Sequence, residues 1–130
     1  YDVNGTLLSK NEDVSHPTGM LDIGGGELLV LNTDFNVIES SLLIIDYEKN
    51  EVVNDEILLL GLEADGTILP RMECVSMCRG DNEEVFLIDY YWGSVFRFDL
   101  SDLRVAFDRE DASFEVSLVA DLYDLRICQN

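Results

Sequence analysis

The residues of this chain that could do chemistry are gathered in two polar turns. The stretch NTDFN places Asn32, Asp34 and Asn36 at alternate positions. On an extended segment, alternate side chains point the same way. Three oxygen-bearing groups would then share one side, a donor set of the kind that hard cations such as calcium take. With one carboxylate, such a site belongs to the weak, ~10⁻⁴–10⁻³ M class found in extracellular modules. The spacing is not that of an EF-hand loop, and a solvated loop accounts for the same residues. Further on, DYYWGS carries Tyr90, Tyr91 and Trp92 beside a glycine. Aromatic groups at a turn can form a recognition surface, or they can pack inward as large aromatics mostly do.

Acid–base and nucleophilic catalysis have less to work with. His16 is the only histidine, and the thiols are Cys74, Cys78 and Cys128. No spacing brings these groups together, and His16 precedes a proline, which favours an extended loop. No catalytic residue is assigned. Three cysteines cannot form a fully paired internal disulfide set. On a strand, Cys74 and Cys78 would stand roughly 13 Å apart, beyond disulfide reach, so they read as small buried side chains. The segment CVSMC with one distant Cys and one His supplies too few soft ligands for zinc. The run Gly24–Gly26 is a turn between strands rather than a phosphate loop opening a helix. No cofactor is expected, and calcium at Asn32, Asp34 and Asn36 is the one ion the residues would suit.

Charge bounds the partners. The 130 residues include 27 acidic and 8 basic side chains, for a net charge of −19. So acidic a chain repels nucleic acid and anionic membrane, and it attracts cations or basic proteins. Neither direct nucleic-acid binding nor membrane insertion is expected. Apolar runs stay short, as in ILLLGL from Ile57 to Leu62, far below a bilayer span. Apolar residues nevertheless make up 47%, enough for a packed core.

The elements that must position these turns repeat along the chain. HPTGMLDIGGGELLVLNTD, starting at His16, lies over ECVSMCRGDNEEVFLIDYY, starting at Glu73, at a constant offset of 57. Met20 then falls on Met77, Glu27 on Glu84 and Leu31 on Ile88. SLLIIDYEKNEV from Ser41 lies over SVFRFDLSDLRV from Ser94 at an offset of 53, which a shorter loop between the strands would explain. The short apolar runs bounded by Gly, Asn and Asp predict strands. ELLVLN and EVFLID form the first of each unit, SLLIID and SVFRFD the second, VVNDEILL and VAFDRE the third. FEVSLVADL, Phe114 to Leu122, alternates and predicts another strand. A helix over Ser117–Ile127 is the alternative, since Leu118, Leu122 and Leu125 fit one helical face. The aspartates that end the second strands, Asp2, Asp46 and Asp99, are expected to accept N–H groups of the following turn.

These residues resemble the repeat of YVTN/NHL-like β-propellers. In that repeat a Pro-x-Gly-hydrophobic step leads the innermost strand, a Gly-x-hydrophobic-hydrophobic-Val strand follows, and hydrophobic-hydrophobic-Asp precedes a turn. Pro17, Gly19, Met20, Leu28 to Asn32 and Asp46 match it, whereas the second copy has ECVSM without the Pro or the Gly. The resemblance implies an all-β fold of antiparallel, propeller-like blades. Its divisions are the tail of a preceding blade over 1–16, full repeats over 17–66 and 67–120, and the start of a third over 121–130. Two blades cannot close a ring and would expose edge strands. The chain is therefore expected to be part of a larger propeller or to self-assemble. The resemblance implies fold and not activity; the first expectation is a non-enzymatic binding or scaffold module with a protein partner, and the resemblance slightly favours an extracellular or periplasmic location. A propeller-type enzyme, lactonase-like or quinoprotein-like, is the second expectation. An acidic inhibitor mimicking nucleic acid is the third, on charge alone.

Overall fold

Glycine sets the first turn. Gly24, Gly25 and Gly26 take φ of 84°, 65° and 78°, a region that residues with a Cβ enter only at a cost. The turn joins β1 (Pro17–Gly24) to β2 (Glu27–Asp34), and turn 35–38 leads on to β3 (Glu39–Asp46), which pairs antiparallel with β2 along its whole length. The structure, a computed structural model, describes residues 16–121. A short β4 (Glu51–Val52) pairs with β3, and β5 (Ile57–Leu62) pairs with β3 and with β6 (Ile68–Leu69). The second half runs β7 (Cys74–Arg79), β8 (Glu84–Asp89), β9 (Ser94–Asp99), helix α1 (Leu100–Asp108) and β10 (Ser113–Asp121).

All ten strands among the described residues belong to one sheet, ordered β1-β2-β3-β5-β10-β9-β8-β7, with β4 and β6 at its margins. Two antiparallel meanders, β1-β2-β3-β5 and β7-β8-β9-β10, are joined where β5 and β10 pair in parallel from Ser113↔Leu58 to Ser117↔Leu62. The far edges, β1 and β7, come side by side, so the sheet nearly closes into a barrel. Antiparallel blade-like units were the expectation, and the two antiparallel meanders share one wall. The physical reason is the one that made an open pair of blades unfavourable. Curling one sheet round buries a face of every long strand at once.

The inward face is read directly from the alternation. Leu29 and Leu31 on β2, Leu42 and Ile44 on β3, Ile57 and Leu59 on β5, Val85 and Leu87 on β8, Phe96 and Phe98 on β9, and Val116 on β10 fill the interior. Side chains of this size contribute about 1.5–3 kcal/mol each when fully buried. Gly61 sits inward as well, because a Cβ there would stand 2.9 Å from Phe96 and 3.1 Å from Leu69 Cβ. That close approach explains the lone glycine in ILLLGL. A smaller cluster, Val30, Leu43 and Ile45 with Leu28 and Val52, lies on the outer face of β2 and β3.

The seam between β1 and β7 is bridged by hydroxyls. Thr33 Oγ1 (2.7 Å) and Thr18 Oγ1 (3.2 Å) both donate to the Cys74 carbonyl. Ser40 Oγ donates to the Met72 carbonyl (3.0 Å), accepts from the Cys74 N–H (2.9 Å) and lies 2.9 Å from Thr33 Oγ1. Ser40 and Thr33 are buried, so these bonds are made away from competing water.

Three sequence expectations are corrected. VAFDRE was expected as a strand, but it lies in α1 and the turn after it. Leu100, Leu103, Ala106 and Phe107 are the buried residues of the helix, a helical spacing that closes one side of the core. VVNDEILL is two strands, β4 and β5, broken at Asn54 and Asp55. The loop between the paired strands is not shorter in the second meander. Turns 35–38 and 90–93 have equal length and end on left-handed residues, Ile38 (φ 59°) and Gly93 (φ 66°); the strands are shorter instead. FEVSLVAD does form a strand, through Asp121, rather than the alternative helix. The expected partial repeats, with Asp2 and Cys128, lie outside the described residues. Among the described residues no helix is long and apolar enough to cross a membrane.

Candidate binding surface

With the interior filled, the sites open to a ligand are on the outside of the wall. Outward-facing residues of β2 and β3 and the entry to β5 enclose a cavity of about 390 Å³, lined by Asn32, Asp34, Glu39, Ser41 and Glu56 among others. The pairing Ser41↔Leu58 is what brings Glu56 to β3, since β5 starts beside the upper part of that strand. Glu56 is held at both oxygens. Ser41 Oγ donates to Oε2 at 2.7 Å and Asn32 Nδ2 to Oε1 at 3.1 Å. Asn32 is only 4% exposed, and its Oδ1 has no hydrogen-bond donor. A second cavity of about 390 Å³ shares Glu56 and Ala112 with the first and adds Asp55, Glu110 and Asp111.

The ion pairs among the described residues are Arg79–Glu83, Arg97–Glu84, Arg104–Glu27 and Arg109–Asp111. Among the described Lys and Arg side chains, Arg109 beside Asp111 is the one paired with a carboxylate of these cavities, and the imidazole of His16 lines the first. Such an arrangement offers acceptors and an excess of negative charge. It can hold a cation.

The trio expected to share one side divides. Asn32 and Asp34 line the first cavity, but the chain turns after Asp34 and Asn36 lies exposed on the turn, outside that lining. Asp34 Oδ1 accepts the Asn36 N–H at 2.9 Å, an Asx turn. Among the described residues no three carboxylate, thiol or imidazole groups are placed to hold one metal ion. His16 lines the same cavity, and its carbonyl accepts the Thr33 N–H at 2.9 Å. Glu39, Ser41 and Glu56 were missed in the sequence. Their only signal is cross-strand register, which no local pattern carries.

The aromatic turn divides in a different way. Tyr90 is 71% exposed and Tyr91 44%, whereas Trp92 packs against the core and donates its indole N–H to the Arg71 carbonyl. Tyr91 and Trp92 meet edge to face at 4.8 Å. Asp89 anchors this turn. It is fully buried, and its Oδ1 accepts the N–H groups of Tyr91 (2.8 Å), Glu73 (3.1 Å) and Trp92 (3.5 Å), while Oδ2 has no partner. Burial holds its carboxyl above the usual range, against the pull of the three N–H groups. The neighbouring Cys74 thiol is pushed up to about 12, by burial first and by the Asp89 charge second, so it stays protonated and is a packing residue. Cys78 is exposed on the same strand. Asp46 accepts the N–H groups of Glu48 and Lys49 at 3.0 Å each, as expected of it. Asp99 does not act in this way: it is the N-cap of α1 and makes no side-chain capping bond.

No family model, curated protein or solved structure matches the chain.

Proposed function

We propose that the chain is a non-enzymatic binding module that docks a basic protein partner on the outer face of β3 and β5. The observation that carries this reading is the pair of adjoining outer cavities lined by Asp34, Glu39, Asp55, Glu56 and Glu110, none of which pairs with a Lys or Arg among the described residues. A surface of −19 net charge speeds encounter with a basic protein, and the cavities give it somewhere to seat. An acidic inhibitor that mimics nucleic acid would use the same face, since its target is also a basic protein. The two meanders, with strands β2 and β8 opening 57 residues apart at Glu27 and Glu84, are read as two copies of one antiparallel unit. In this reading the propeller-like repeats close on each other as a barrel wall.

The test is a titration of the full chain with a fluorescent lysine- and arginine-containing peptide. Binding should saturate and weaken steeply as salt rises past about 0.15 M, where screening acts within roughly 8 Å. Replacing Glu39 and Glu56 together by Gln should remove most of it. Binding of equal strength by the variant would refute the reading.

A further inference from the structure

We propose that the aromatic turn 90–93 is a pH-sensitive latch: with Asp89 protonated it stays shut on the segment entering β7, and when Asp89 ionises it opens and frees the Trp92 indole from the Arg71 carbonyl. One carboxylate oxygen ties the parts together. Asp89 Oδ1 accepts the Glu73 N–H at 3.1 Å from the entering segment, and the Tyr91 and Trp92 N–H groups at 2.8 and 3.5 Å from the turn. The Tyr90 N–H returns a bond to the Glu73 carbonyl at 2.9 Å, and the Trp92 indole donates to the Arg71 carbonyl. All three donors to Asp89 are on Oδ1, whereas Oδ2 is buried without a partner. A full negative charge shared with such an oxygen is costly, and a proton on it removes the charge without disturbing the three bonds to Oδ1. The first meander supplies an internal comparison. Asp34 ends β2 as Asp89 ends β8 and makes the same Asx bond, to the Asn36 N–H at 2.9 Å, but Asp34 is partly exposed and can ionise into water where it stands.

The groups around Asp89 set the direction. On the β7 side stand the Glu73 carboxylate and the buried Cys74 thiol, and both act against a charge on Asp89. On the β9 side its register partner is the neutral Ser94. The Ser40 and Thr33 hydroxyls, which bond to Cys74 from β3 and β2, are neutral too. The turn adds the Tyr91 phenol, and Arg71 is exposed. Burial holds the Asp89 carboxyl above its usual range while the turn is shut. An open turn returns it to water and to the ordinary aspartate value near 3.9. The shut form therefore binds the proton more tightly, and opening releases one proton from Oδ2 to water. Below about 3.9 the turn is fully shut; between that value and the shut form's own, each unit of pH moves the balance about tenfold toward opening. The turn is also the place that can move. Residues 70–73 belong to no strand, and Tyr90 and Tyr91 already stand 71% and 44% exposed.

The test follows Trp92, the only tryptophan, in the full chain between about pH 4 and 8 at constant ionic strength. As pH rises, its emission should move to longer wavelength and its quenching by acrylamide should increase, while the strand signal in circular dichroism stays unchanged. Asp89→Asn, which keeps an oxygen for the three N–H groups and cannot ionise, should abolish the change; Asp34→Asn should leave it as in the native chain. If Asp89→Asn has no cooperative unfolding transition, the native chain decides: the indole N–H resonance of Trp92 must move with the same midpoint as the carboxyl carbon of Asp89, and that midpoint must lie above the usual aspartate range. A Trp92 signal that does not change with pH, the same change in Asp89→Asn, or two unrelated midpoints would overturn the latch.

Discussion

Ser40 is the residue on which closure of the barrel can be tested most sharply. Its hydroxyl is buried and makes two bonds to the segment entering β7, one to the Met72 carbonyl and one from the Cys74 N–H. Ser40→Ala removes one oxygen atom and leaves both backbone groups without that partner. A buried polar group left unsatisfied costs about 1–3 kcal/mol. The Met72 carbonyl has the milder penalty, because a carbonyl is more easily left under-satisfied than an N–H. Together they give a loss of about 3 kcal/mol, a large part of the 5–15 kcal/mol that holds a typical domain. For a chain of this size that corresponds to a fall in melting temperature of roughly 10 °C. Urea unfolding followed by fluorescence of Trp92, the only tryptophan, is the assay. Its indole N–H is bonded to the Arg71 carbonyl, so the signal reports on the same segment. Ser41→Ala is the control. That neighbouring hydroxyl faces outward to an exposed Glu56, and its loss should cost under about 1 kcal/mol. If the two substitutions are equally mild, the Ser40 hydroxyl does not hold β7, and the reasoning that ties the seam to this residue is wrong.

Two further outcomes follow from the core and from Asp89. Gly61→Ala should cost about 1–3 kcal/mol by overpacking against Phe96 and Leu69, and Phe96→Leu in the same chain should restore part of it, both read by thermal unfolding. Asp89 has a folded pKa above its unfolded value. The native state therefore holds more protons than the unfolded state between the unfolded value, about 3.9, and the folded one, and stability falls as pH rises through that window. Asp89→Asn keeps an oxygen for the three N–H groups and abolishes the titration. Its stability relative to the native chain should grow as pH rises from about 4 to 7 in paired urea titrations. A difference that shrinks with rising pH would show that the carboxylate is favoured in the fold.

Much of the wall was legible, because period-two alternation is local. Alternation along SVFRFD puts Ser94, Phe96 and Phe98 on one face of β9, and all three are buried, while Arg97 between them is exposed. Turns with glycine or Asx character were legible for the same reason, as at Gly24–Gly26 and Asp46. Helix α1 was not, since VAFDRE is too short to separate alternation from a helical stripe when it is read apart from Leu100 and Leu103. Closure was not legible either. Parallel pairing of β5 with β10 joins residues far apart in sequence, and nothing in ILLLGL or FEVSL specifies a partner. The candidate site inherits that limit. Asn32 and Asp34 drew notice as a loop motif, but their cavity is completed by Ser41 and Glu56, which only the β3–β5 register brings together.

The location of the binding surface is the claim on which the account depends, and amide chemical-shift mapping of the full chain against an arginine-containing peptide tests it directly. The largest shifts should fall on Asn32, Asp34, Glu39, Ser41 and Glu56, with smaller ones at Glu110 and Ala112, and they should vanish in Glu39→Gln/Glu56→Gln. Shifts centred instead on Tyr90, Tyr91 and Trp92, or spread evenly over the acidic surface, would contradict it.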